Sequence, residues 1–257
     1  MSEVAIWVTY MAKAHIAYPD AKAFSTIVES LAKIVDEIAI NINSERLAIR
    51  AIDPAQVALI EVHLPSDTFL EYDVEEEITG GVNIANALKL IKRSKKGDKL
   101  EIDVDEEYIT FTIIGAMTKR FKFRNLAVAP PEIPELGLEF NVHAVVLSDV
   151  LKHALKDAEA VGDTAEFDAK EDILIIRGKG VTTAETKISS GTAALIELEV
   201  KEPSKSAYSI EYLKHVLALT KIADAVTIEY SSSMPLKLEF QLPAGGKVMY
   251  LLAPKTM

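Results

Sequence analysis

The chain has no cysteine. Disulfides, thiol nucleophiles and thiolate metal sites are therefore excluded, as suits a cytosolic protein. Long apolar runs are missing too. The longest are a few residues, such as Val57-Ala58-Leu59-Ile60, whereas a membrane span needs about 20. The opening Met1-Ser2-Glu3 lacks the basic region and apolar stretch of a signal peptide, so a cytoplasmic protein is expected. Positive charge is in deficit: 28 Lys and Arg stand against 39 Asp and Glu, a net charge of -11. That excludes a protein that is basic all over, but not a local basic face. The chain contains no GxxxxGK[ST], GxGxxG or GxSxG. Gly245-Gly246-Lys247 reads as a hairpin turn. The histidines His15, His63, His143, His153 and His215 form no HxH or HExxH spacing, so no zinc site is expected. Asp73-Val74-Glu75-Glu76-Glu77 reads as a solvated loop. No catalytic residue, metal or cofactor is expected.

Apolar residues make up 49% of 257, enough for a large core and too much for disorder. Several segments alternate with period two. They include Leu100–Val104, Ile109–Ile113, Val226–Tyr230 and Leu236–Leu242. This pattern predicts antiparallel sheet with one wet face. Four others have helical period: 21–35, 83–96, 146–161 and 209–222. Their apolar stripes are Phe24, Ile27, Val28, Leu31 and Val35; then Ile84, Leu88 and Ile91; then Leu147, Leu151, Ala154, Leu155 and Ala158; then Ile210, Leu213, Leu217 and Thr220.

The order helix, strands, helix, strands occurs twice. A shift of about 127 lays Asp36 on Asp163, Leu47 on Leu174, Ile49 on Ile176 and Arg50 on Arg177. The expected class is α+β, built from two similar domains at 1–123 and 138–257. Residues 124–137 between them carry three of the ten prolines within five residues. Proline stiffens the chain and removes donors, so this reads as an extended connector. Its Leu126, Val128, Ile133 and Leu136 need a surface to lie on.

The four helical segments carry eleven Lys and Arg against five Asp and Glu, which leaves -17 on the rest. Lys89, Lys92, Arg93 and Lys96 fall on one predicted helical face, opposite Ile84, Leu88 and Ile91. Lys152 and Lys156 share a face of the third helix, and Lys214 and Lys221 a face of the fourth. Helices gathered on one side would make a basic surface on an acidic protein. In the first helix Glu29 interrupts Lys22 and Lys33.

Five stretches together resemble the proliferating-cell nuclear antigen family, the DNA sliding clamps of archaea and eukaryotes. They are Arg50–Ile60, Gly81–Arg93, Ser206–Leu213, Met234-Pro235-Leu236 and Tyr250–Lys255. The likeness covers essentially the whole chain and is nearest to archaeal members. It implies a ring of three subunits, identical or different, around double-stranded DNA, with helices lining the hole and sheets outside. It also implies a non-enzymatic processivity factor used in DNA replication and repair, nucleoid-associated, without membrane contact. The implied partners are a clamp loader and, through short peptide motifs, DNA polymerase, flap endonuclease and DNA ligase.

Carried over to this sequence, the DNA-facing residues are Lys89, Lys92, Arg93, Lys96, Lys152, Lys156, Lys214 and Lys221. The first helix departs from the family, with Ser25, Thr26 and Ala32 at its basic positions, and the N-terminus before it is longer than usual. The implied partner-peptide groove comprises Ile52, Gln56, Val57, Leu59, Ile133, Pro134, Met234, Pro235, Leu251, Ala253 and Pro254. The implied subunit interface lies along Lys119–Phe123 and Thr182–Ile188, through Arg120, Phe121, Phe123, Thr186 and Ile188. The rival reading is an enzyme or small-molecule-binding protein on a duplicated α+β scaffold, which needs a pocket with convergent polar groups.

Overall fold

A computed structural model describes residues 12–131 and 137–255. The longer N-terminus, and Ile133 and Pro134 of the connector, lie outside these. The first half runs β1 (Ala14–Tyr18), α1 (Ala21–Leu31), β2 (Glu37–Ile42), β3 (Arg46–Ile52), β4 (Ala58–Pro65), β5 (Glu71–Val74), β6 (Ile78–Asn83), α2 (Ile84–Ile91), β7 (Lys99–Val104), β8 (Tyr108–Ile114) and β9 (Thr118–Arg124). The second runs β10 (Val142–Leu147), α3 (Ser148–Val161), β11 (Thr164–Lys170), β12 (Ile173–Lys179), β13 (Thr183–Ser189), β14 (Leu195–Val200), β15 (Ser204–Ser209), α4 (Ile210–Leu213), β16 (Ala225–Tyr230), β17 (Leu236–Gln241) and β18 (Lys247–Leu252). The two orders are the same. Matching hydrogen bonds fix the correspondence. The amides of Ala21 and Ser148 donate to the carbonyls of Asp98 and Asp224, and those of Ile84 and Ile210 to Asp36 and Asp163, all at 2.9 Å.

The strands form sheets of order β5-β1-β7-β8-β9, β13-β12-β11-β15 and β14-β10-β16-β17-β18-β4-β3-β2-β6. The last crosses the domain boundary. There β18 pairs antiparallel with β4, Val248 opposite Val62, Tyr250 opposite Ile60 and Leu252 opposite Ala58. These six side chains are all buried. The duplicated counterparts of β18 and β4 are β9 and β13, and each is a sheet edge. The chain thus makes this seam once and carries the two halves of a second.

The helices differ from expectation at their ends. Asp20 caps α1, its carboxylate accepting from the amides of Lys22 and Ala23 at 2.8 and 2.9 Å. The helix stops at Leu31, where the Ile34 amide turns back to Leu31 at 2.9 Å, an i to i+3 bond. The predicted fourth helix is broken into α4 and a 3-10 turn, Leu217–Lys221. A continuous helix would have the Tyr212 carbonyl accept from Val216. It accepts instead from the His215 amide at 3.0 Å and the Tyr250 hydroxyl at 2.9 Å. Leu147 is not part of the third apolar stripe: it is the residue before α3 and is 38% exposed. Nor does β8 keep a wet face. Thr110 and Thr112 are buried, standing between Asp103 and Lys122 and between Glu101 and Arg120 of the neighbouring strands.

Candidate nucleic-acid face and partner groove

Packing of the helices decides where the lysines go. α1 packs on α2 and, across the domain boundary, on the turn Leu217–Lys221, which in turn meets α3. The helices therefore form one continuous layer, with the basic side chains on its open side. Lys89, Lys92 and Arg93 are exposed, but α2 ends at Ile91 with Lys92 as its cap. Lys96 is accordingly in the following turn, beside Gly97 at φ 90°, and not on the helical face predicted for it. Lys156, Lys214 and Lys221 are exposed, and Lys152 is partly so.

Three of these cations are already engaged. Lys92 pairs with Glu29 at 3.1 Å, Lys152 with Asp149 at 3.0 Å and Lys214 with Glu159 at 2.5 Å. Among the described residues, Lys89, Arg93, Lys96, Lys156 and Lys221 have no carboxylate oxygen within 4.0 Å. One cation that the sequence pattern discounts belongs to the layer. Lys33 comes from α1's terminal turn and its Nζ donates to the Lys214 carbonyl at 3.1 Å. Burial, opposed by Glu29 and reinforced by Lys214, Lys221 and Lys92, holds it below the usual lysine value. Glu29 sits in the same nest. Burial raises its pKa, but Lys92, Lys33 and Lys221 outweigh that and keep it below normal. So Glu29 does not interrupt the basic patch; it is surrounded by it. The convergence is across domains, which helical spacing within one segment cannot reveal.

The predicted groove residues other than Ile133 and Pro134 gather around the C-terminal end of β18. Leu251 faces Leu59, and Leu59 faces Ile52, giving an apolar stripe over three adjacent strands. Ile52 and Leu251 are half-buried and Leu59 is 7% exposed. At the end of the stripe the Ala253 amide donates to the Val57 carbonyl at 2.9 Å, bringing Pro254 beside the 53–57 loop. Met234 and Pro235 enter β17 on the other flank, where Leu236 faces Leu252. Gln56 is exposed, at φ 57°. Its tight turn is held by buried Asp53, whose carboxylate accepts from the amides of Ala55, Val57 and Ala58 at 3.1, 2.7 and 2.6 Å. The connector begins on β6: the Leu126 amide donates to the Gly81 carbonyl at 2.9 Å. A Cβ on Gly81 would lie 1.9 Å from the Leu126 oxygen, so only glycine fits.

At the predicted interface, Arg120 is exposed and Phe121, Phe123 and Thr186 are half-buried on the two edge strands. Ile188 is different. It is 2% exposed and packed in the chain's own core, so it has no surface left to offer. Beyond the edge, Val181 at the β12–β13 turn is fully exposed, whereas its counterpart Val57 packs against the core.

The profile for the N-terminal domain of proliferating cell nuclear antigen matches residues 14–129, and that for its C-terminal domain matches 157–255. The chain belongs to this family. Curated sliding clamps of archaea agree. DNA polymerase sliding clamp 1 of Aeropyrum pernix is 41% identical over 243 residues, covering 92% of this chain and 98% of that protein. The DNA polymerase sliding clamp of Pyrococcus abyssi is 35% identical, covering 93% and 97%. Among solved structures, the PCNA2-PCNA3 complex of Sulfolobus tokodaii matches with a TM-score of 0.89 at 31% identity, covering 94% of this chain and 99% of that one. The chain is thus a DNA sliding clamp subunit of the archaeal type, with a two-domain α+β clamp fold. The rival reading, an enzyme on a duplicated scaffold, is not favoured. Among the described residues there is no group of three or more His, Asp and Glu suited to a metal, and no helix long and apolar enough to cross a membrane.

Proposed function

We propose that this chain is a non-catalytic processivity factor that closes with two further clamp subunits around double-stranded DNA. The observation that carries the reading is the single basic helix layer on an otherwise acidic duplicated shell. Phosphates are held there by mobile, salt-dependent contacts, while the outer acidic surface repels them. The DNA-facing set is Lys89, Lys92, Arg93, Lys96, Lys152, Lys156, Lys214 and Lys221, to which Lys33 is added. Lys89→Glu with Arg93→Glu reverses two cations that no carboxylate engages. It should cut processive synthesis by a clamp-loaded polymerase more than Lys92→Glu with Lys152→Glu, whose cations already have partners. Equal losses at low salt, or none, would count against the assignment.

The apolar stripe Ile52, Leu59 and Leu251, with Gln56, Val57, Met234, Pro235, Ala253 and Pro254, is the proposed groove for peptides of polymerase, flap endonuclease and ligase. The connector, taken as residues 124–137 with Ile133 and Pro134, forms its lid. Burial of each client anchor contributes roughly 1.5–3 kcal/mol. After ordering costs, two or three anchors give a Kd in about the micromolar range. Leu251→Ala should weaken binding of a peptide with one Gln and two aromatics at least about tenfold, since truncating a groove contact costs over about 1.4 kcal/mol. Isothermal calorimetry checks it. Subunits join edge to edge, β9 of one with β13 of the next, as β18 joins β4 within the chain.

A further inference from the structure

We infer that Tyr212 is a positioning residue for the partner groove: from the helix side of the sheet it ties the loop that carries Gln56 to the strand that carries Leu251. The inference rests on the groove reading above. Asp53 sets the internal shape of that loop through three amides. Those bonds do not fix where the loop stands against β18. Two others do. One is the bond from the Ala253 amide to the Val57 carbonyl, at 2.9 Å. The other runs through Tyr212, whose hydroxyl donates to Asp53 Oδ2 at 3.4 Å and whose carbonyl accepts from the Tyr250 hydroxyl at 2.9 Å. Tyr250 is buried, and Leu251 after it points to the other side of the strand. Tyr212 therefore stands behind the groove floor and not in the groove. It is itself held, since two residues on the Lys214 carbonyl accepts from Lys33 Nζ at 3.1 Å. Gln56 keeps a φ of 57°, in the left-handed region. A side-chain-bearing residue stays there only where its surroundings hold it.

The duplication supplies the control. By strand register Ile52 and Leu59 correspond to Lys179 and Thr183, with six residues between the first two and three between the second two. Asp53 then corresponds to Gly180, Tyr212 to Asn86 and Tyr250 to Phe121. All three polar members of the tie are absent together from the duplicated positions. Asn86 is exposed, and α2 runs unbroken from Ile84 to Ile91, whereas α4 stops at Leu213. The longer loop, the cut helix and the three polar side chains thus occur as a set, on the one side of the duplication that bears the groove.

Tyr212→Phe removes the hydroxyl and keeps the ring and the carbonyl. A loop that is out of place part of the time lowers client affinity by its competent fraction. Isothermal calorimetry with a peptide of one Gln and two aromatics should show a Kd raised about three- to tenfold. Hydrogen exchange should show a faster Ala253 amide and unchanged amides at Val248 and Tyr250 of β18. An unchanged Kd, in a protein whose binding Leu251→Ala still weakens, would overturn the inference and leave the groove reading standing. A peptide affinity indifferent to Leu251→Ala would remove the groove reading, and the inference with it. A raised Kd with faster exchange all along β18 would make Tyr212 a residue of general stability and overturn the assignment. If Tyr212→Phe does not fold, Tyr250→Phe, which copies Phe121, cuts the same tie at its other end and carries the same expectation and the same meaning.

Discussion

The outer faces of β2–β3 and of β11–β12 are duplicates, and they differ in what lies on them. Both keep one cross-strand ion pair, Arg50 with Glu61 and Arg177 with Glu185, each at 2.5 Å. In the first domain the residues beside it are Ala39 and Asn41; in the second they are Glu166 and Asp168. Ala39 lies under the connector, which spans a cleft of about 180 Å³ lined also by Ile52, Val128 and Pro131. Among the described residues nothing comparable crosses the second face, and there the polar residues form a network. Arg177 reaches Asp168 at 2.7 Å and Glu166 at 3.3 Å, while Lys179 and Lys205 hold Glu166 at 2.6 and 3.0 Å. One framework thus carries an apolar floor where a chain segment covers it and a charge network where none does.

The sharpest way to break the comparison is to remove the two arginines. Arg177→Ala leaves Asp168, 7% exposed, without its cation. It should cost about 3 kcal/mol in urea unfolding. Arg50→Ala removes one exposed pair, and should cost under about 1 kcal/mol. Equal losses would mean that the second face is no more than a pair of surface ion pairs.

Next in size is a transplant. Ala39→Glu puts the second domain's carboxylate beneath the connector, where water cannot reach all of it. A loss of about 1–3 kcal/mol is expected, with faster proteolysis at 126–131. An unchanged cleavage rate would show that the connector does not rest on that face.

The smallest effect concerns another duplicated pair. His15 meets Asp103 at 2.7 Å and His143 meets Glu229 at 3.2 Å, at corresponding positions. The bond to Asp103, against the cost of burial, raises the pKa of His15 to about 9 from 6.5. The folded value lies above the unfolded one. The pair's contribution is therefore full below about pH 6.5 and is lost as pH rises through about 9. Asp103→Asn should flatten stability over that window, and an NMR titration of His15 should show a midpoint near 9.

Much of this was legible in the chain. Alternation in Leu100–Val104 and Leu236–Leu242 marks strands because one side of each faces core. The repeat was visible through Asp36 and Asp163, whose carbonyls receive matching amides. Local pattern failed where a distant group intervened. The fourth helix is cut because the Tyr250 hydroxyl takes the Tyr212 carbonyl, and no spacing in 209–222 signals that. Lys33 was discounted because Glu29 lies between it and Lys22; its neighbours Lys92, Lys214 and Lys221 come from the ends of α2 and α4 and from the Leu217–Lys221 turn, which spacing within the first helix cannot show. Ile188, placed at an interface by position, is core because α3 packs on β13. The groove residues were found through family likeness; their convergence at the end of β18 depends on pairing across the domain boundary.

The seam between β18 and β4 also governs how the molecule can bend. Nine strands hydrogen-bonded side by side form one plate across both domains, with a register shift only at its β10–β14 end, and the three buried apolar pairs of the seam lie in its middle. Two such plates joined edge to edge, as proposed, would lack these three buried apolar pairs at the joint and would part there before the seam within the chain does.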